Sequence, residues 1–342
     1  REIAVPIRTA LIARLAKLPR RSFDTLVTRD IPMTMRDGAV VLGDLWRPSP
    51  DEGSSAMVLI RTPYDRTGLD VLARLLAERG HPVFVQNCRG TFGSTGTFRP
   101  FVDEPDDGED TLHWLATQTW AERPLALVGA SYLGYTAYSL LRTGAERFVG
   151  VGMAVTTADF HSGVLYPHGI FAAETALVWI GGLLTQELPT LPRRRAERRI
   201  ERRMREALLT APDRADTALL DSAYPPYQEW VAHDGKADPW WDRIDRRPQL
   251  IELPPSVLVA GWFDPFLVGQ LADHEALVRN ARPTRLVVGP WTHGSPGIAG
   301  SLVRETLAVL DRPTGSGGVR VHDGGTGTWV ELAQWPPRNR ML

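Results

Sequence analysis

The stretch 129–134, Gly-Ala-Ser-Tyr-Leu-Gly, decides the fold. It follows the apolar run 125–128, which predicts a buried strand, and it precedes the run 135–141, which predicts a helix. A strand, a sharp turn and a helix around a serine are typical of the nucleophile elbow, whose pattern is G-x-S-x-G. We therefore interpret Ser131 as a nucleophile. The alternative is a glycine-rich turn in which Ser131 only caps the following helix.

A serine hydroxyl needs a base that removes its proton and an acid that orients the base. In α/β hydrolases these residues follow in the order Ser, acid, His, on loops after the carboxyl ends of strands. His293 lies in such a loop, just after the strand-like run 284–289. Asp264 follows the preceding strand-like run, 255–260. The sequence thus predicts His293 as base and Asp264 as orienting acid, with a helix N-cap as the alternative for Asp264.

Two hydrogen-bond donors are expected for the oxyanion of an acyl-transfer reaction. The backbone N–H of Tyr132 directly follows the serine at the start of a helix, where N–H groups favour anions. The second donor in this fold class comes from the loop after the third strand. Tyr64 lies four residues past the strand-like run 56–60, so we predict its hydroxyl as that donor. A buried tyrosine bonded to a backbone carbonyl is the alternative.

Six segments resemble, in order, those of the cocaine esterase/NonD and X-Pro dipeptidyl-peptidase group of α/β hydrolases. They are MRDGAV (35–40), RTPYDR (61–66), QNCRGTFGSTG (86–96), GASYLG (129–134), GWFD (261–264) and GPWTH (289–293). The resemblance extends from residue 31 to the C-terminus. It implies the same triad, Ser131, Asp264 and His293, and an oxyanion hole formed by the Tyr64 hydroxyl and the Tyr132 N–H.

The resemblance also implies aromatic residues that line the substrate pocket. Trp179 and Phe266 match aromatic positions of the esterase members, and Tyr166 joins them as a third pocket residue. The alternative for all three is ordinary core packing, because large aromatic side chains are often buried. Peptidases and α-amino ester hydrolases of this group need carboxylates that bind a substrate ammonium, and the sequence locates no such cluster.

Strand-like and helix-like runs alternate over most of the chain, which predicts an α/β-hydrolase fold with a mostly parallel sheet. The segment 157–250 interrupts this rhythm, and we interpret it as a helical cap inserted over the carboxyl edge of the sheet. The predicted domains are an N-terminal arm (1–30), the hydrolase core (31–156 and 251–312), the cap, and a final segment (313–342). By resemblance, this final segment begins a jelly-roll-like β domain that it cannot complete, because two strands cannot form a sandwich.

The composition limits the classes of partner. The chain has 342 residues, 43% of them hydrophobic, and a formal net charge of −1, so nothing attracts it generally to nucleic acid or membranes. Its single cysteine, Cys88, excludes an intrachain disulfide and fits the cytoplasm, where we expect the protein. The sequence has no metal-ligand spacing and no phosphate-binding loop, and we expect neither a metal nor a cofactor. We also expect no signal peptide and no membrane-spanning helix.

Two basic segments have alternative interpretations. We expect the helix-like segment 7–18 to pack on the core, on a second copy of the chain, or on an anionic membrane surface. The second of these alternatives would make the protein a homo-oligomer. The segment 193–208 combines many arginines with an apolar stripe at Ala196, Ile200, Met204 and Leu208. We interpret it as a helix with a solvated charged face, and a nucleic-acid interface is the alternative.

These observations predict a serine hydrolase that cleaves a small-molecule carboxylic ester, or an amide, through an acyl-enzyme. Three alternatives remain. They are acyl transfer or macrolactone formation as in the NonD branch, an X-Pro dipeptidyl peptidase, and a non-catalytic protein that retains the fold. The presence of all three triad residues argues against the last of these.

Overall fold

The computed structural model describes residues 6–51, 55–312 and 317–337. The strands are β1 (Asp24–Thr34), β2 (Val40–Ser49), β3 (Met57–Thr62), β4 (Val83–Asn87), β5 (Leu125–Ala130), β6 (Phe148–Ala154), β7 (Ser256–Gly261), β8 (Thr284–Gly289), β9 (Val319–His322) and β10 (Trp329–Leu332). The α-helices are α1 (Pro6–Leu15), α2 (Asp70–Ala77), α3 (Glu104–Leu115), α4 (Tyr132–Leu140), α5 (Ala173–Thr185), α6 (Thr190–Leu209), α7 (Pro212–Leu220), α8 (Pro225–Ala232), α9 (Leu267–Arg279) and α10 (Pro296–Asp311).

One sheet contains all these strands, in the order β1-β2-β4-β3-β5-β6-β7-β8-β9-β10. Neighbours from β4 to β9 pair in parallel. The pairs β1–β2, β2–β4 and β9–β10 are antiparallel. Parallel strands with intervening helices confirm the predicted α/β-hydrolase fold with a mostly parallel sheet. Because the strands from β3 to β8 run in the same direction, their carboxyl ends lie along one edge of the sheet.

Both faces of the sheet are covered by helices, as a buried parallel sheet requires. Successive residues of β3 point to opposite faces: Leu59 packs with the cluster that includes residues of α3, α4 and α9, and Ile60 with the cluster that includes residues of α2 and α10. Both side chains are only 1% exposed. The sequence of β3 is therefore a continuous apolar run, and it does not alternate between apolar and polar residues as a half-exposed strand does.

The chain divides into two compact units. The second unit consists of Phe98–Asp103 and Asp159–Asp245 and contains α5 to α8. It is close to the predicted cap segment 157–250, with a short additional piece from before α3. Its interior is aromatic: the rings of Trp179 and Trp230 stack with centroids 5.8 Å apart, and Phe101 packs on both. Its role as a cap over the site stays a prediction.

The N-terminal segment packs on the hydrolase core of its own chain. Arg304 of α10 donates a hydrogen bond of 3.2 Å to the carbonyl of Ala16, just after α1. A Cβ atom on Gly300 would lie 2.8 Å from that of Ala16, so α10 and this segment approach closely. The predicted boundary at residue 31 falls inside β1, which pairs with β2 along most of its length. The described residues before 31 thus supply part of an edge strand, and the predicted domain boundary at residue 31 stays a prediction.

The described part of the final segment continues the core sheet, and the predicted start of a separate β domain stays a prediction. β9 pairs in parallel with β8, and β10 continues the same sheet. The Trp262 indole donates a hydrogen bond of 2.7 Å to the carbonyl of His322. Without a neighbour, the edge of β8 would expose unpaired backbone N–H and C=O groups, and β9 forms hydrogen bonds with them. In the described ranges no helix is both long enough and apolar enough to cross a membrane.

Candidate active site

Ser131 stands at the tip of the turn between β5 and α4. Its φ of 56° and ψ of −126° lie in a region that residues with a Cβ atom rarely adopt. Two bonds hold it there: its N–H donates to the carbonyl of Ala154 at 2.9 Å, and the Thr156 hydroxyl donates to its carbonyl at 2.8 Å. A strained serine between strand and helix is the geometry of a nucleophile elbow.

The glycines of this turn permit a close approach between helix and sheet. A Cβ atom on Gly129 would lie 2.2 Å from the carbonyl oxygen of Leu133, and one on Gly134 would lie 2.4 Å from the Thr156 methyl. Leu133, and not glycine, stands two residues after Ser131, so the chain departs there from G-x-S-x-G. Gly134, one residue later, lies against Thr156, two residues past the end of β6, and supplies the space that the turn needs.

Two loops bring His293 and Asp264 together. The backbone N–H of Trp262 donates to the carbonyl of Gly289 at 2.9 Å, and that of Phe263 donates to the carbonyl of Trp291 at 3.0 Å. These bonds join the loop after β7 to the loop after β8. As a result, His293 Nδ1 lies 2.7 Å from Asp264 Oδ2.

The three predicted catalytic residues form one hydrogen-bonded chain. His293 Nε2 lies 2.9 Å from Ser131 Oγ. The Asp264 side chain is 1% exposed, and its second oxygen accepts a 2.8 Å bond from the Phe266 N–H. A carboxylate can only accept, so Nδ1 carries the proton and Nε2 is left to accept the proton of the serine hydroxyl. The His293 side chain is 41% exposed, which leaves the site accessible.

The loop that carries Tyr64 is fixed by a buried amide. Asn87, at the end of β4, donates from Nδ2 to the Tyr64 carbonyl at 2.6 Å and accepts at Oδ1 from Arg66 at 2.7 Å. Arg66 also donates to Asp44 at 3.0 Å, which ties the loop to β2. The Tyr64 side chain is half-buried beside the core. Its role as an oxyanion donor stays a prediction.

The residue after the nucleophile is anchored by a second buried network. The Tyr132 hydroxyl donates to Glu104 at 3.2 Å, and Glu104 pairs with Arg61 at 3.0 Å. Burial raises the pKa of Glu104 above its ordinary value, and the positive charge of Arg61 opposes that shift. These bonds hold the first residue of α4, whose N–H is the other predicted oxyanion donor.

The three predicted pocket residues have different surroundings. Phe266 is 6% exposed, and its ring stacks on the His293 imidazole with centroids 5.2 Å apart, so it contacts the proposed base directly. Trp179 and Tyr166 belong to the second unit. The Tyr166 hydroxyl donates to the Trp230 carbonyl at 2.8 Å, and burial raises its pKa to about 12. The pocket role of all three residues stays a prediction.

The sequence interpretation missed the residues that support the site. Asn87 and Arg66 lie in two of the segments that carry the family resemblance, 86–96 and 61–66, but nothing in those segments indicates that the two side chains bond to each other. Thr156 follows β6 as one of several small polar residues, and no local signal marks it. Glu104 is an acidic residue in the first turn of α3, a place where such residues are common for helix stability alone.

Residues 37–295 match the X-Pro dipeptidyl-peptidase (S15) family over most of the chain. The chain belongs to this family. It is 32% identical over 287 residues to cocaine esterase of Rhodococcus sp. (strain MB1 Bresler), an alignment that covers 79% of this chain and 49% of the relative. This S15 member thus spans about half the length of the curated relative it matches.

Solved structures share the fold of this S15 chain. An aminopeptidase from a marine sediment Thaumarchaeota archaeon has a TM-score of 0.70 at 20% identity, covering 94% of this chain and 61% of that one. An α-amino acid ester hydrolase has a TM-score of 0.69 at 18% identity, covering 93% and 60%. A CocE/NonD family hydrolase from Staphylococcus aureus has a TM-score of 0.62 at 16% identity, covering 95% and 61%.

Proposed function

We propose that this protein is a serine hydrolase that cleaves carboxylic esters through an acyl-enzyme. The observation that carries the proposal is the hydrogen-bonded chain from Ser131 through His293 to Asp264, with distances of 2.9 and 2.7 Å. It begins at a serine held in a strained turn, as a nucleophile elbow requires. Membership of the S15 family and the likeness to a relative named cocaine esterase support ester hydrolysis.

In the proposed first step, Ser131 Oγ attacks the ester carbonyl while its proton passes to His293 Nε2. Asp264 accepts the hydrogen bond of Nδ1–H and stabilises the imidazolium that forms. The carbonyl π electrons move onto oxygen, and the Tyr64 hydroxyl and the Tyr132 N–H are the proposed donors to this oxyanion. When the tetrahedral intermediate collapses, the ester C–O bond breaks and His293 protonates the departing alcohol.

In the second half of the reaction, a water molecule takes the place of the alcohol. His293 removes one of its protons, the hydroxide oxygen attacks the acyl carbon, and the bond to Ser131 breaks with return of the proton to Oγ. An alcohol in the place of water would give acyl transfer by the same steps. An amide substrate would require His293 to protonate a departing amine.

We also propose a cytoplasmic location, which the buried, free thiol of Cys88 supports.

Labelling with a fluorophosphonate tests the nucleophile. We expect wild-type protein to be labelled, and Ser131→Ala to lose both labelling and roughly 10³-fold or more of its ester turnover, with the fold intact. Ser162→Ala is the matched control, because Ser162 Oγ also lies 3.2 Å from a histidine ring nitrogen, that of His161. Labelling that survives Ser131→Ala and disappears with Ser162→Ala would exclude the proposed site.

A substrate panel then separates the reaction types. Short aryl esters, the matching anilides and X-Pro dipeptide anilides are compared at equal concentration, with and without an alcohol acceptor. We expect esters to be cleaved fastest. Faster release from the X-Pro dipeptide anilide would favour a peptidase, and an acylated alcohol as the main product would favour a transferase.

A further inference from the structure

Helix α6 carries the most concentrated charge in the chain. Its 20 residues, TLPRRRAERRIERRMREALL, contain eight arginines and three glutamates, a formal charge of +5 in a protein whose net charge is −1. Only Ala207 of this helix is buried. At 1.5 Å per residue the helix is about 30 Å long, so it presents an extended basic surface.

The two faces of α6 have different surroundings. Apart from Arg203, the less exposed residues of α6 are Ala196, Ile200, Met204 and Ala207, and Ile200 lies 3.3 Å from the Cβ position of Gly181 in α5. This face packs on its own unit. The opposite face follows steps of four and three residues, which keep it on one side of a helix. It consists of the α6 stripe: Leu191, Arg195, Arg198, Arg202, Arg205 and Leu209.

Three of the four α6 arginines outside the stripe make ion pairs, and Arg194 makes none in the described part of the chain. Arg193 pairs with Glu197, and Arg199 and Arg203 both pair with Asp221. Within the described ranges, none of the four stripe arginines makes an ion pair with this chain. The leucines at the two ends of the stripe are 68% and 81% exposed. In the part of the chain that the structure describes, this row of arginines between two exposed leucines therefore has no anionic partner.

We propose that the α6 stripe docks on the surface of an anionic lipid membrane. A flat anionic surface can contact all four arginines together, because they lie in one row. The terminal leucines are suited to insertion at the boundary between headgroups and acyl chains. A single-stranded nucleic acid is disfavoured, since the stripe has no aromatic side chain on which a base can stack. The chain would bind at the membrane surface without spanning it.

Co-sedimentation with lipid vesicles tests this docking. We expect the protein to bind vesicles of phosphatidylcholine mixed with phosphatidylglycerol, more weakly as salt increases, and to bind pure phosphatidylcholine poorly. Each arginine near an anionic surface strengthens binding by about fivefold. The variant Arg195→Gln, Arg198→Gln, Arg202→Gln should therefore bind about 100-fold more weakly.

A matched control separates the stripe from overall charge. Arg142→Gln, Arg279→Gln, Arg312→Gln removes the same three charges from exposed positions outside α6 and should bind like the wild type. Both triple variants should keep wild-type helicity and hydrolysis of a short soluble ester, because α6 takes no part in the proposed chemistry. Leu191→Ser with Leu209→Ser should weaken the binding that persists at high salt.

Three results would overturn the proposal. The first is equal sedimentation of wild type with neutral and anionic vesicles, and the second is an equal loss of binding in the two triple variants. The third is tight binding to a single-stranded polynucleotide, lost in the stripe variant, with no binding to anionic vesicles. That last result would assign the stripe to nucleic acid.

Discussion

Gly134→Ala is the sharpest test of how closely the nucleophile elbow is packed. The added methyl group would lie 2.4 Å from Thr156 Cγ2 and 2.5 Å from Thr156 Oγ1. Real Cβ contacts are essentially never this short, so Thr156 or the start of α4 must move. The Thr156 hydroxyl donates to the carbonyl of Ser131 at 2.8 Å, and a displaced Thr156 weakens the bond that holds the proposed nucleophile.

The expected size of the effect follows from two opposing contributions. Alanine at an open helical position is worth about 1 kcal/mol of stability relative to glycine. Overpacking in a filled core costs about 1–3 kcal/mol. The free energy of unfolding should therefore fall by up to about 2 kcal/mol. A displacement of Ser131 by about 1 Å should lower the rate of acylation by up to about 100-fold.

Urea unfolding measures the first quantity and the rate of fluorophosphonate labelling measures the second. Gly182→Ala is the matched control, because Gly182 lies in α5 and has nothing within 4 Å of its Cβ position. That variant should gain about 0.5–1 kcal/mol and label at the wild-type rate. If Gly134→Ala is as stable as Gly182→Ala and labels normally, Gly134 of α4 and Thr156 are not in close contact.

Further predictions concern the triad, the oxyanion donor and pH. Asp264→Asn should lower kcat by up to about 10⁴-fold through the wrong imidazole tautomer, and a loss below about tenfold with a short ester would contradict the role of Asp264. Tyr64→Phe should lower kcat about 10²–10³-fold with little change in KM, whereas unchanged ester kinetics would make Tyr64 a structural residue. Burial lowers the pKa of His274 in the folded protein. As the pH falls, His274 is therefore protonated in the unfolded chain before it is protonated in the folded one. Acidification through about pH 6.5 should then reduce the free energy of unfolding. Replacing His274 by Gln should flatten that dependence in urea titrations at about pH 7.5 and pH 5.5, and an unchanged slope would show that another group is responsible.

The central strands and the triad candidates could be predicted from sequence because their signals are local. β5 and the predicted start of α4 flank Ser131 directly, and β7 and β8 each end in the loop that carries Asp264 or His293. Parallel strands place their carboxyl ends along one edge of a sheet. Three residues far apart in the sequence could therefore be assigned to one site before any distance was known.

Tertiary structure decided the details that depend on register and on contacts between distant segments. The apolar pattern of β9 predicts a strand and does not say that its partner is β8, since the pattern fixes a face and not a neighbour. The bond from Asn87 to the Tyr64 carbonyl likewise requires β4 to lie beside β3 in one particular register.

The sequence by itself determined the reaction type that we propose, because nucleophile, acid and base each follow a recognisable strand. Only the fold determined what holds them: Thr156 against the elbow, Asn87 and Arg66 behind Tyr64, and Glu104 with Arg61 behind Tyr132. The same is true of the α6 stripe, whose arginines are evident in the sequence but whose lack of ion-pair partners in the described ranges is not. Hydrogen bonds and ion pairs act over about 3–4 Å, and which polar groups come that close depends on how the whole chain packs.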